Sequence, residues 1–79
     1  MKIAEIRWLD ACLEEAHIPI EALSKLEPIE RRNVGYLIYE DAHKVIISFG
    51  ILENLYKGET AYDLGFTIPR GVIKEINYY

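Results

Sequence analysis

The sequence predicts a mainly β protein, a small five-stranded barrel of the Src-homology-like or Sm-like type with a short helical insertion after the first strand. Two observations support this fold class. Several short runs after Asn33 alternate apolar and polar residues, which is typical of strands. The runs are joined by a hairpin turn, a longer connector and a three-residue break, and we expect that connection order in such barrels.

The N-terminal segment satisfies two periodicities. Apolar residues recur there at helical spacing, yet Ala4, Ile6 and Trp8 also lie on one face of a strand. Because helix formers dominate residues 9–16, we expect a strand over 2–8 that runs into a short helix. The alternative is that the whole segment is helical.

A second helical segment is expected over residues 19–28. This stretch is amphipathic and has a proline at each end, which is consistent with one or two helical turns. Residues 9–28 then either cover the barrel or reach outward, and the role of the segment 17–32 stays open.

Residues 33–51 predict a β-hairpin whose turn is the polar stretch 40–43. Both faces of both strands are fairly apolar, as expected for a closed barrel or a subunit contact. The residues expected to share a face are Val34, Tyr36 and Ile38 in the first strand, and Val45, Ile47 and Phe49 in the second.

The C-terminal third predicts two more strands. We expect an irregular connector over 52–63, followed by a strand over 64–69 with Leu64, Phe66 and Ile68 on one face. Pro69 cannot donate a ladder hydrogen bond, so residues 69–71 predict a tight or 3₁₀ turn before a short final strand.

Composition bounds the classes of function. The 79 residues form one domain, 1–79, with a net charge of −4 and one cysteine, so intrachain disulfides are excluded and nucleic-acid binding is disfavoured. A folded surface of roughly 4,900 Å² leaves a marginal core, which favours a homo-oligomer. With no apolar run of membrane-spanning length and no signal peptide, a cytoplasmic location is expected.

Catalysis and metal binding are not expected. Cys12 and His17 lie five residues apart, and a half-buried cysteine on a helix face is favoured over a nucleophile–base pair. Adding His43 gives no paired zinc-ligand spacing. The chain has no phosphate loop, dinucleotide fingerprint or nucleophile elbow. We therefore predict a protein that is not an enzyme and has no cofactor.

Basic and aromatic residues in the predicted loops are the candidate ligand-binding set. A tyrosine ring can stack on a base while a guanidinium binds phosphate. The alternative is that the tyrosines pack one end of the barrel and the arginines pair with the excess acids. The set consists of Arg31, Arg32, Tyr56, Lys57, Tyr62 and Arg70.

Three segments resemble a group of short bacteriophage and prophage proteins. They are "RWLDA" at 7–11, "VGYLIYED" at 34–41 and "IPRGVIKEI" at 68–76. The resemblance covers about half of the chain and implies an accessory protein of viral origin, located in the host cytoplasm. Where the group would have a short Gly/Ser-rich loop, this chain has the helix-favouring stretch 12–32.

Three functions are compatible with these observations. The first is a non-catalytic, anti-defence accessory protein that binds a host protein. The second is an oligomeric sponge that sequesters a phosphorylated nucleotide signal of host immunity, with Tyr56, Lys57, Tyr62 and Arg70 at its pockets. The third is an Sm-like RNA binder, which the negative charge disfavours.

Overall fold

The computed structural model describes residues 2–11, 19–55 and 58–79, with Asn54 and Leu55 described by their backbone only. One helical turn, α1, spans Ile20–Leu23, and a 3₁₀ turn spans Arg70–Val72. The five strands are β1 (Ile3–Asp10), β2 (Ile29–Glu40), β3 (Lys44–Leu55), β4 (Glu59–Pro69) and β5 (Ile73–Tyr78).

The strands form one antiparallel sheet in the order β4, β3, β2, β1, β5. The predicted mainly β class and the five strands are confirmed. The sheet is not closed into a barrel, because β4 and β5 are its two edges and do not pair within the described residues. None of the helices in this part of the chain is long and apolar enough to cross a membrane.

Element boundaries differ from the sequence-based expectation at three places. β1 extends to Asp10, so the predicted helix over 9–16 does not begin at Leu9, and its part within 12–18 lies outside the described residues. β2 begins at Ile29 and contains both arginines that were expected to precede it. The connector predicted over 52–63 is largely strand, because its ends pair across β3 and β4.

The core lies between β1, β3 and β4, which face one another because the sheet bends. β1 contributes the face that its alternation predicted, which carries Ala4, Ile6 and Trp8. β3 and β4 each contribute one apolar face that packs against it. Trp8 lies beside Phe66 of β4, with ring centroids 5.6 Å apart. The buried apolar residues are Ala4, Ile6, Trp8, Val45, Ile47 and Ile68.

Small residues make the bend possible. Gly35 of β2 pairs with Ala4 of β1 and lies close against β3. A Cβ atom at Gly35 would be 2.7 Å from the carbonyl oxygen of Ser48 and 3.2 Å from Cβ of Ile47. Only glycine therefore lets the two backbones approach this closely.

Beyond Ser48, β3 separates from β2 and pairs with β4 alone. The last pair between β2 and β3 is Tyr36 with Ser48, whereas pairing between β3 and β4 continues to Leu55 with Glu59. We call residues 49–55 and 59–65 the distal ribbon.

The radius of gyration is 16.9 Å, against about 12 Å for a compact chain of this length, so the molecule is markedly elongated.

The backbone of the distal ribbon is strained at one residue. Leu64 has a φ of 48° and is the one non-glycine residue with positive φ in the described part of the chain. The left-handed conformation costs roughly 1–2 kcal/mol for a residue with a side chain. The next residue, Gly65, does not adopt it, so the strain falls on the leucine.

Replacing Gly35 by alanine should destabilise the protein. The added methyl group meets a backbone carbonyl that cannot rotate away, so we expect Gly35→Ala to lower the free energy of unfolding by about 1–3 kcal/mol in urea titrations. Gly65→Ala is the matched control, because a Cβ atom there would have no heavy atom within 4 Å, and it should change stability by less than about 1 kcal/mol. Equal stability of the two variants would contradict the close approach at Gly35.

Candidate functional site

An open groove of about 620 Å³ lies where β2 and β4 face each other across the bend. The N-terminal half of β2 forms one wall, and the end of β1 lies beside it. The volume falls within the range of small-ligand and peptide sites. The residues that line the groove are Trp8, Asp10, Ile29, Glu30, Arg31, Arg32, Asn33 and Phe66.

Two aromatic rings form the floor of the groove. The indole of Trp8 is buried, and its Nε1–H donates a 2.8 Å hydrogen bond to Oδ1 of Asn33 on β2. Phe66 packs against Trp8 on one side and lies 6.2 Å from Phe49 on the other, measured between ring centroids. The Asn33 bond satisfies the indole donor and fixes the ring, so the floor is apolar and held in one orientation.

Arg31 provides the positive charge on the groove side of β2. Arg31 is paired with Trp8 of the neighbouring strand β1, and its Nε donates a 2.7 Å hydrogen bond to Oδ2 of Asp10. Arg32 pairs instead with Arg7, and alternation along the strand turns its side chain to the other face. The two neighbouring arginines therefore belong to opposite faces of the sheet.

The wall of the groove is an unpaired strand edge. Within the described residues, β2 pairs only with β1 from Ile29 to Val34, because β3 joins it only from Tyr36 onward. The N–H of Leu37 bonds to the carbonyl of Lys2, on the β1 side. Because donors alternate along a strand, the N–H groups of residues 30, 32 and 34 point to the free edge.

A second polar cluster, the turn latch, joins the β2–β3 turn to the 3₁₀ turn before β5. Arg70 donates through Nε to the carbonyl of Asp41 at 2.9 Å and through Nη2 to Oε1 of Glu40 at 3.1 Å. The hydroxyl of Tyr78 donates to the same Glu40 oxygen at 3.0 Å. The turn latch consists of Glu40, Asp41, Arg70 and Tyr78.

Asp41 also closes the β2–β3 turn. Its Oδ1 accepts the backbone N–H groups of His43 and Lys44 at 2.8 and 2.9 Å, and its Oδ2 accepts the hydroxyl of Tyr39 at 2.9 Å. The hydrogen bond from His43, followed by the bonds from Lys44 and Tyr39, lowers the pKa of the Asp41 carboxyl against an opposing effect of desolvation. The hydrogen bond to Asp41 in turn raises the pKa of Tyr39.

The structure places the described members of the predicted ligand-binding set on different elements. Arg31 and Arg32 line the groove, with their side chains on opposite faces of the sheet. Arg70 instead pairs with the Glu40 carboxylate and donates to the backbone carbonyl of Asp41 in the turn latch. Tyr62 lies on the distal ribbon, eight residues and about 26 Å along the chain from Arg70. Tyr56 and Lys57 lie outside the described residues.

Sequence reasoning missed three residues that build the groove: Trp8, Asn33 and Phe66. The alternation of β1 and β4 had placed the two aromatic residues on core faces, but not at the point where the core opens. Asn33 gave no signal, because its role depends on pairing with Ile6 and on the neighbouring indole.

Neither a metal site among the described residues nor a similarity to known proteins assigns a function to the chain. In the described part of the chain, no group of three or more His, Cys, Asp or Glu side chains is arranged to hold a metal ion. No protein-family model, curated protein or solved structure matches the chain.

The charge of Asp41 should contribute to stability in a pH-dependent way. Its native pKa is lowered, so its contribution is full above the unfolded pKa of about 3.9 and is lost as pH falls through the native value. Asp41→Asn should therefore be less stable than wild type at pH 7, and the difference should shrink below about pH 4. Urea titrations at pH 7 and pH 3 measure this, and parallel stability–pH curves would contradict it.

Proposed function

We propose that the protein is a non-catalytic accessory protein that acts by binding another protein, with the groove as its binding site. If the resemblance to phage proteins reflects origin, the partner is a host protein and the site of action is the host cytoplasm. The observation that supports this proposal most directly is the free backbone edge of β2 beside an aromatic floor.

A free strand edge favours an extended segment of a protein as the ligand. Its N–H and carbonyl groups pair with any strand laid alongside, which gives affinity, while the neighbouring pocket selects side chains. Residues 30, 32 and 34 supply the donors on this edge. Because the segment runs between β2 and β4, every second side chain would face Trp8 and Phe66.

The charges of the groove favour a segment that carries an acid next to an apolar residue. Asp10 accepts a hydrogen bond from Nε of Arg31, and the terminal nitrogens of that guanidinium donate no side-chain hydrogen bond among the described contacts. These nitrogens can bind a carboxylate of the partner. An apolar side chain beside that carboxylate would then cover the aromatic floor.

The proposal also covers the fold family, which is that of Src-homology-like or Sm-like barrels, and the assembly of the protein into a homo-oligomer. The strand order and the 3₁₀ turn before β5 support kinship with Src-homology-like or Sm-like barrels, with the sheet here left open between its edge strands β4 and β5. Self-association with copies of the chain is supported by the small set of buried residues.

Proline at position 32 should abolish partner binding without unfolding the sheet. The N–H of residue 32 points to the free edge, so Arg32→Pro removes a donor to the partner and none to β1. The probe is a library of random dodecapeptides selected on the immobilised wild-type protein. We expect the selected peptides to bind Arg32→Pro at least tenfold more weakly by fluorescence anisotropy.

Lys74→Pro is the matched control, since it also replaces a basic residue by proline. Lys74 lies on β5, the edge strand on the far side of β1 from the groove edge of β2. It should retain peptide binding, and Arg32→Ala should retain it as well because its backbone N–H remains. Peptides that bind Arg32→Pro as tightly as wild type, or a library that yields no binder, would contradict the groove as a strand-binding site.

A phosphorylated nucleotide is the second candidate ligand, supported by the position of Arg31 beside Trp8 and Phe66. A base can stack on an aromatic ring while the guanidinium binds phosphate. If this candidate is correct, the purified protein should show excess absorbance at 260 nm that Arg31→Ala removes and Arg70→Ala preserves. A ratio of 260 to 280 nm absorbance that matches ligand-free protein would contradict it.

A further inference from the structure

One face of the distal ribbon carries an exposed apolar stripe. Ile51 of β3 pairs with Tyr62 of β4. Phe49 lies opposite Leu64, between the pairs Gly50–Asp63 and Ser48–Gly65. These four residues continue the core face of β3 and β4, which is formed by alternation from Ile47 and Phe66. Phe49, Tyr62 and Leu64 are 45%, 44% and 69% exposed, so no described element covers them. We call these four residues the ribbon stripe.

The strain at Leu64 indicates that its side chain is needed at this position. The residue combines a positive φ with the largest exposure in the ribbon stripe. Glycine or asparagine would adopt this backbone conformation at lower cost. Against the described residues of the protomer the leucine gains little burial in return, which favours a contact with a second molecule.

The ribbon also lacks the support that a two-stranded structure requires. A hairpin of two strands is marginally stable in water unless a third strand or another layer covers it. Among the described residues, β2 stops pairing with β3 at Ser48, and the ribbon continues without a third strand or a covering layer. A layer packed along the ribbon stripe would supply that support.

The exposed area matches one interface per protomer. The accessible surface is 6121 Å², whereas a compact monomer of 9.2 kDa exposes roughly 4,900 Å², which leaves an excess of about 1,200 Å². A standard interface buries about 800 Å² on each partner. A dimer contact of that size would bring each protomer close to the surface of a compact chain.

The chemistry of the ribbon stripe fits a second copy of the chain. The stripe is uncharged, and the acid Asp63 faces the opposite side of the ribbon together with Ala61. Residues 49–55 and 59–65 contain three acids, Glu53, Glu59 and Asp63, and no lysine or arginine, so a dimer contact here rests on the apolar residues of the stripe and not on cross-subunit ion pairs. A two-fold axis would place each ribbon stripe on its own equivalent, as in most homodimers.

We propose that the ribbon stripe is the self-association surface of the protein and that it packs against the same face of a second copy in a two-fold dimer. This inference deepens the proposed self-association by assigning it to named residues. It is independent of the partner that binds in the groove, because the variants that test it leave Arg31, Arg32 and the edge of β2 unchanged.

The experiment is sedimentation equilibrium of the full chain and of three variants over a range of concentrations. Wild type should show a native mass of twice 9.2 kDa. Tyr62→Thr and Leu64→Asn should each raise the dimer dissociation constant at least tenfold. Leu52→Thr is the matched control, because Leu52 is equally exposed on the opposite face of the same ribbon, and its dissociation constant should change less than threefold.

Each alternative outcome overturns a distinct statement. A monomeric wild type contradicts both self-association and the ribbon stripe, as does a wild type that is monomeric alone but forms a complex with a different protein through Tyr62. An oligomer that Tyr62→Thr and Leu64→Asn leave intact contradicts the ribbon stripe while self-association stands. Far-UV circular dichroism with thermal unfolding verifies that each variant is folded, and unfolding of Tyr62→Thr leaves Leu64→Asn as the deciding variant.

Discussion

The close approach of β2 and β3 at Gly35 is the constraint on which the rest of the structure depends. With hydrogen in place of a side chain, the β2 backbone lies against the Ser48 carbonyl, and Ala4 opposite adds little bulk. The sheet can therefore bend enough for β1 to face β4. The contact between Trp8 and Phe66 follows from that bend, and a flat sheet would leave both rings exposed on one side.

The groove and the distal ribbon share one cause, which is the separation of β3 from β2 after Ser48. Among the residues that the structure describes, the separation leaves unpaired backbone groups along the edge of β2. In the same part of the chain, it leaves β3 and β4 without a third strand. The β2 edge carries Glu30, Arg31 and Arg32, and charged side chains at an edge discourage indiscriminate strand pairing. The ribbon stripe has no such charges, which favours a permanent apolar contact over a selective one.

The sequence predicted local structure better than the relations between strands. Alternation placed Ala4, Ile6 and Trp8 on one face, because that period depends only on the pleat. The connector over 52–63 was predicted as irregular, since Gly58 and polar residues interrupt its alternation. It is strand because β3 pairs with β4, and the sequence of a single strand does not show which strand it pairs with. The candidate site was predicted least well. It requires Phe66 to meet Trp8 across 58 residues of chain, and no local pattern encodes that distance.

The turn latch determines how the groove can work. Arg70 ties the end of β4 to the turn after β2, through both its side chain and its backbone N–H, which bonds to the carbonyl of His43 at 2.9 Å. Gly35 fixes β2 against β3, so both walls of the groove are anchored before any partner arrives. A preorganised groove avoids an ordering cost on its own side, and the partner segment alone has to become ordered. The proposed ribbon stripe borders the groove at Phe49, whose ring centroid lies 6.2 Å from that of Phe66 on the groove floor, so a second copy packed on the stripe would lie next to the partner segment.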